Sequence, residues 1–209
     1  MDFTKRQKEI IDVSIRLISK GGIQELTIKN ISKAIDVSEP AIYRHFDSKI
    51  DILLAILSYF EELTGDISEK SFNQEISSLS RIEDFFERLM DEFTENPSMA
   101  KVIFSEEIFQ NDSRLSEKVV AIMKGHHRKI LEVVKEGREN NEIRKDIPEK
   151  HITMFIMGAF RLLITRWRLS DFGFDLKEEG KELWNSMKIL LSLSQSSVNY
   201  QKRIEDYLL

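Results

Sequence analysis

Two stretches, 27–35 and 38–46, carry hydroxyl, amide, cationic and aromatic side chains on what read as two short helices joined by a tight turn. Such a pair, a helix-turn-helix, is suited to reading nucleic acid. The geometry is restrictive, because the major groove of B-DNA admits one helix and presents distinguishable base edges there. The first helix would cross the sugar–phosphate backbone and the second would enter the groove. On the second, Pro40 and Ala41 offer only apolar contacts, such as with a thymine methyl, while Arg44 suits either a guanine edge or a phosphate. Ser38, Glu39 and His45 complete the set of candidate base readers and near-readers, with His45 set over backbone or simply solvated. Ile42 and Phe46 fall at core positions.

Other chemistries find little support. His126-His127 and His151, with Glu106 and Glu107 nearby in sequence, invite a metal reading. Adjacent histidines, however, point about 100° apart on a helix and do not chelate together. No His-x-x-x-His or Glu-x-x-His pair exists, so no metal is expected. No Ser, His and Asp stand in a context that marks a nucleophile, and a Gly-x-Gly-x-x-Gly loop is absent, so neither catalysis nor a bound cofactor is expected. The chain has no cysteine, which excludes disulfide scaffolds, zinc ribbons and thiol chemistry.

The elements that must position these side chains are helical throughout. Eight glycines and three prolines leave long uninterrupted stretches with helical periodicity and almost no strand alternation. A first helix is expected at 3–20, with Ile10, Ile11, Ser14, Leu17 and Ile18 on one face and Gly21-Gly22 as its stop. Thr27 caps the second, which buries Ile28, Ile31, Ala34 and Ile35; Asp36-Val37 makes the turn. Ser38 caps the third, with Glu39 and Pro40 suited to its first turn. Ser48 opens a fourth over 48–64 that weakens near Gly65. Residues 65–79, rich in Ser, Asn, Gln and Glu, read as a linker. Five more helices follow at 80–95, 97–110, 113–140, 148–169 and 176–194, about nine in all, and Val198, Ile204 and Leu208 in the tail 195–209 make either a last short stripe or a frayed end. The expected fold is thus all-α. A three-helix DNA-binding module occupies 1–49, and a helical ligand-binding and dimerisation domain occupies 50–209.

Charge agrees in sign. Residues 1–49 hold nine Lys/Arg against seven Asp/Glu, and the rest of the 209-residue chain holds 22 against 29, for a net charge of -5. An N-terminal module that meets phosphate would have this asymmetry. No apolar run approaches the roughly 18 residues of a spanning helix, and the first residues lack an apolar signal core, so a cytoplasmic protein without membrane contact is expected.

The run from Thr27 to Lys49 combines Thr27 at a helix start, Val37-Ser38 before the second helix, Tyr43-x-x-Phe46, and Ser48-Lys49 opening the next helix. Together with the first helix and its Gly-Gly end, residues 5–60 resemble the TetR family of bacterial transcriptional regulators. Asp36 stands where the family often has glycine, and Asp tolerates left-handed geometry better than most residues. Ile50 stands where an acidic residue is more usual, and Asp51 can take over the helix-start role. The resemblance implies phosphate contacts from Thr27, Tyr43 and Lys49. It implies a ligand-responsive regulator, by the family's usual mode a repressor, that binds a palindromic double-stranded DNA operator as a homodimer. The fourth helix would be the lever between the two domains.

In the remaining 160 residues, Phe86, Met90, Phe93, Phe104, Met123, His127 and Phe155 are candidates to line a cavity for a mainly apolar small molecule. Gly125 marks a bend, a ligand contact or plain packing. Met154, Gly158, Ala159, Leu162, Trp184, Met187 and Leu191 are candidates for the dimer face, where two helices from each subunit would form a four-helix bundle. An architectural or partner-recruiting DNA binder without an inducer is the alternative.

Overall fold

The computed structural model describes residues 3–192. Among them are ten α-helices: α1 (Lys5–Gly21), α2 (Ile28–Ala34), α3 (Glu39–Tyr43), α4 (Lys49–Phe72), α5 (Ser78–Glu95), α6 (Pro97–Ile103), α7 (Glu106–Phe109), α8 (Ser113–Glu139), α9 (Glu149–Leu169) and α10 (Leu176–Leu191). A single 3₁₀ turn, Ile23–Glu25, joins α1 to α2. No strand occurs among the described residues beyond an isolated bridge between Ile143 and Ser192. The tail stripe of Val198, Ile204 and Leu208 lies outside the described residues.

The described residues form two compact units, one of residues 3–66 and 91–124, the other of 67–90 and 125–192. In the first, α1 opens with a reciprocal cap in which Thr4 and Gln7 satisfy each other's backbone N–H. It ends at Gly22, whose φ of 84° needs a residue without Cβ. Its buried face is Ile10, Ile11, Val13, Ser14, Ile15 and Ile18. Leu17 is only half-buried. Helix α1 packs on α2 and α6. From α4, Ile52, Leu53, Ile56 and Leu57 are buried. The Phe60 ring stacks on Phe93 at 6.2 Å, and Phe93 meets Phe104 edge-on at 5.6 Å. Tyr59 lies near Asp12, Glu62 and Glu92; burial, then these carboxylates, raise its pKa.

In the second unit an aromatic chain runs through the interior. Phe72 meets Phe85, Phe85 meets Phe86, Phe86 stacks face to face on Phe160 at 3.8 Å, and Phe160 meets Trp184 at 6.2 Å. Helix α10 packs on α9 and turns Leu176, Gly180, Trp184, Met187 and Leu191 inward, a 3–4 spacing that makes one stripe. Gly180 permits a close approach: a Cβ there would collide with Met90 Sδ. Arg81 bridges Phe72 O, Ser78 Oγ and Glu136, so three segments share one guanidinium.

Three expectations change. The stretch 65–79 is mostly not a linker, because α4 continues through Gly65 to Phe72. Burial of Ile67, Ser68 and Ser71 and the Phe72–Phe85 contact outweigh a polar composition and the glycine. The helix expected over 97–110 breaks at Phe104 and Ser105, where Phe104 leaves helical geometry (φ -92°, ψ 14°) and α7 begins anew, which makes ten helices. Ala34, expected in the core, is exposed, and Ile28 and Ile35 are half-buried.

The helical glycines give a test. At Gly65 and Gly125 a Cβ would have no neighbour within 4 Å, so neither packing nor backbone approach explains them. Gly65→Ala and Gly125→Ala should each stabilise the fold by about 0.5–1 kcal/mol in urea melts. Gly180→Ala should destabilise it, because Met90 must give way.

Candidate nucleic-acid interface

The helix pair is built by local chemistry. Thr27 sits in extended geometry before α2, and its Oγ1 accepts from the Asn30 backbone N–H at 3.1 Å. The Asn30 side chain reaches back to Glu25 O at 2.9 Å. After α2, Asp36 takes a left-handed φ of 52°, and Val37 N–H donates to Ser32 O at 3.0 Å. Helix α3 starts at Glu39 with Pro40 in its first turn, where a missing N–H goes unnoticed. Ser38 is its N-cap by position, but the hydroxyl makes no capping bond. The helix proper ends at Tyr43, three residues before the expected end at Phe46, and continues as a turn in which His45 and Phe46 N–H both donate to Ile42 O. Ser48 then caps α4: Asp51 N–H donates to Ser48 Oγ at 3.2 Å, and that hydroxyl donates to the Asp51 carboxylate at 2.7 Å.

This places the expected residues as follows. Ile42 and Phe46 are buried and hold α3 down. Ser38, Glu39, Pro40 and Arg44 are exposed, and Tyr43 keeps half its surface in solvent. Ala41 and His45 are half-buried, and Thr27 is exposed at the start of α2. The segment 38–46 thus presents polar and small side chains over a buried two-residue anchor. Lys49 differs from a solvated lysine: its Nζ donates to Ile23 O at 2.7 Å, and burial draws its pKa below the usual lysine value. Of the N-terminal cations, Arg6 is paired with Glu9 at 2.6 Å.

The apolar candidates fall in both units. Phe86 and Met90 are buried in the second unit, against Phe160 and at Gly180. Phe93 and Phe104 meet in the first. Met123 and Phe155 are exposed, and His127 is half-buried. His126, beside Phe85 at 6.3 Å, is the histidine that reaches an aromatic interior. Among the described residues no three His, Asp or Glu side chains converge as a metal would require.

Of the dimer candidates, Met154 and Leu162 are more than 60% exposed on α9, with Gly158 exposed and Ala159 half-buried between them. Trp184, Met187 and Leu191 instead belong to the inward stripe of α10, because Phe160, Met90 and Leu163 already fill the space beside that stripe. Phe155, Leu169, Ile189 and Leu190 are exposed and extend the outer apolar face. A groove of about 350 Å³ lies between α9 and α10, floored by Ala159, Leu162, Leu163 and Leu183 and edged by Arg166, Glu179, Glu182 and Ser186.

Comparison with known proteins agrees with this geometry. Residues 10–56 match the family described as bacterial regulatory proteins, tetR family, and residues 57–190 match the family described as YsiA-like protein, C-terminal region. The nucleoid occlusion factor SlmA of Glaesserella parasuis serovar 5 is 24% identical over 187 residues, 89% of this chain and 92% of its own. The fatty acid metabolism regulator protein of Bacillus subtilis is 26% identical over 179 residues, 82% of this chain and 89% of its own. A crystal structure of the transcriptional regulator FadR from Bacillus subtilis in complex with stearoyl-CoA superposes with a TM-score of 0.75 at 22% identity, covering 86% of this chain and 96% of that one.

The turn and the cap are separable by mutation. Asp36→Gly should raise stability and Asp36→Val lower it by about 1–2 kcal/mol, since a branched side chain opposes the left-handed conformation. Thr27→Ala should cost about 1 kcal/mol from the lost cap. Urea melts of the three variants read all of these.

Proposed function

This chain belongs to the tetR family of bacterial regulatory proteins, and on that premise we propose that it is a homodimeric transcriptional repressor released from its operator by a mainly apolar effector. The observation that supports this most is the exposed surface of α3 on its buried Ile42–Phe46 anchor. In this reading α3 enters the major groove. Ser38, Glu39, Pro40, Ala41 and Arg44 face base edges, while His45 stands over the backbone. Thr27, Tyr43 and Lys49 meet phosphates on either side. The outer face of α9, with Met154, Gly158, Ala159 and Leu162, meets the same face of a second copy. Trp184, Met187 and Leu191 support that interface from behind. A two-fold axis then requires a palindromic operator with half-sites about one helical turn apart, roughly 34–36 Å.

The Bacillus subtilis relatives, one a fatty acid metabolism regulator and one solved with stearoyl-CoA, support a long-chain acyl-CoA, apolar in its chain and anionic in its CoA group, as the effector. A long-chain acyl-CoA would place its apolar chain against Phe- and Met-rich interior of the kind Phe86 and Met90 provide. Phe93, Phe104, Met123, His127 and Phe155 are further candidates for its surroundings. Release requires that the effector bind the non-DNA conformation better, since equal affinity for both states shifts nothing.

The SlmA relatives favour a second reading, a nucleoid-associated DNA binder that answers to a partner rather than to a small molecule. Both readings share the DNA interface. They carry no catalytic role and place the protein in the cytoplasm. No described helix is long and apolar enough to cross a membrane.

Footprinting on the DNA upstream of its own coding region, across a salt series, tests the interface. A protected palindrome is expected, with affinity that falls steeply as salt rises. Tyr43→Ala should weaken binding about tenfold or more. Protection without sequence selectivity, or a Tyr43→Ala variant that binds as well as wild type, contradicts the reading. Sedimentation of Leu162→Glu should show a folded monomer that has lost operator binding, because an interfacial charge without a partner is strongly unfavourable.

A further inference from the structure

The start of α2 is held by more than its own cap. Lys49 Nζ donates to the Ile23 carbonyl at 2.7 Å across a separation of 26 residues. The same oxygen accepts the Leu26 N–H at 3.2 Å, so one carbonyl both closes the 3₁₀ turn and receives the ammonium. Leu26, only 1% exposed, follows at once, and Thr27 comes next. On the other side, Lys49 is the first residue of α4, whose opening turn is fixed by the Ser48–Asp51 bonds. Desolvating an ammonium is unfavourable unless a bond offsets it, and a charge-assisted bond of this length does so. A lysine kept only for phosphate has no need of an internal acceptor.

We infer that Lys49 is a positioning residue of the DNA-reading module: through the Ile23 carbonyl it sets where Thr27 and the N-terminal end of α2 stand before any DNA arrives. The inference rests on the DNA-reading assignment above and goes beyond it. An ammonium has three donors; one is used on Ile23 and two remain for phosphate. The brace joins the first turn of α4 to the turn that leads into α2. A displacement of that first turn therefore reaches Thr27 through this bond.

The test begins without DNA. In the wild-type protein, NMR should show a scalar coupling across the hydrogen bond between Lys49 Nζ and the Ile23 carbonyl carbon. In folded Lys49→Met, amide exchange at Leu26 and Thr27 should quicken by about tenfold or more as the turn opens locally, and Lys49→Arg should restore protection. No coupling, together with unchanged exchange in Lys49→Met, overturns the brace. Operator binding gives the second arm. If Lys49 acts through Thr27, the losses from Lys49→Met and Thr27→Ala should overlap, so that the double variant binds about as weakly as the worse single one. Fully additive losses would make Lys49 an independent phosphate contact and overturn the inference. If no operator is bound at all, the DNA reading fails, while the exchange result still decides whether the brace exists.

Discussion

A helix of five residues has no stability of its own in water, since nucleation alone outweighs the few bonds it closes. Helix α3 is that short, and everything about its placement comes from outside it. Ile42 and Phe46 bury its underside, and Asp36 turns the chain left-handed so that α3 leaves α2 at a fixed angle. The Lys49–Ile23 bond then ties the lead-in of α2 to the first turn of α4. An element that must fit a groove about 12 Å wide needs such outside support, because its own polar face is turned to solvent. The same economy explains the composition of α3, in which the anchor residues are apolar and the rest are small, polar or charged.

The remaining helices solve a different problem, which is how one helix serves two surfaces. In α9, Ile156, Phe160, Leu163 and Trp167 fill the interior of their own unit, while Met154, Phe155, Leu162 and Leu169 stand in solvent. A lone globular chain rarely leaves so many large apolar side chains exposed along one helix, and an interface is the ordinary reason. The inner stripe of α10 is dense and aromatic where it meets Phe160 and Met90. Phe86 lies flat on Phe160 in that same interior.

Most of this was legible wherever the signal is local. Thr27, Asp36, Pro40 and Ser48 announce caps and turns by their own chemistry, and the structure uses each of them at that place. Ser38 has the right type and position, yet its hydroxyl makes no capping bond, because type alone does not fix a rotamer. The continuation of α4 past Gly65 was hidden by a polar stretch whose serines turn out to be buried. The inward turn of Trp184 was also hidden. Leu183 and Leu190 flank the inward stripe on α10, and periodicity cannot say which apolar positions face the chain's own interior. The Lys49–Ile23 bond spans 26 residues and leaves no trace in spacing. The family resemblance supplied the DNA-binding roles, which no single residue here would have established.

A DNA reader and an effector-responsive half that act as one regulator must show coupled affinities. The most direct measurement is the affinity of the full chain for its footprinted upstream DNA as stearoyl-CoA is titrated in, at fixed salt. Saturating stearoyl-CoA should weaken binding by about 5–150-fold, the usual range of coupling between two sites. An operator affinity that stays constant while stearoyl-CoA is shown to bind would contradict that coupling. Constant affinity with no binding of stearoyl-CoA would also contradict the acyl-CoA reading, and would favour a DNA binder that answers to a partner instead.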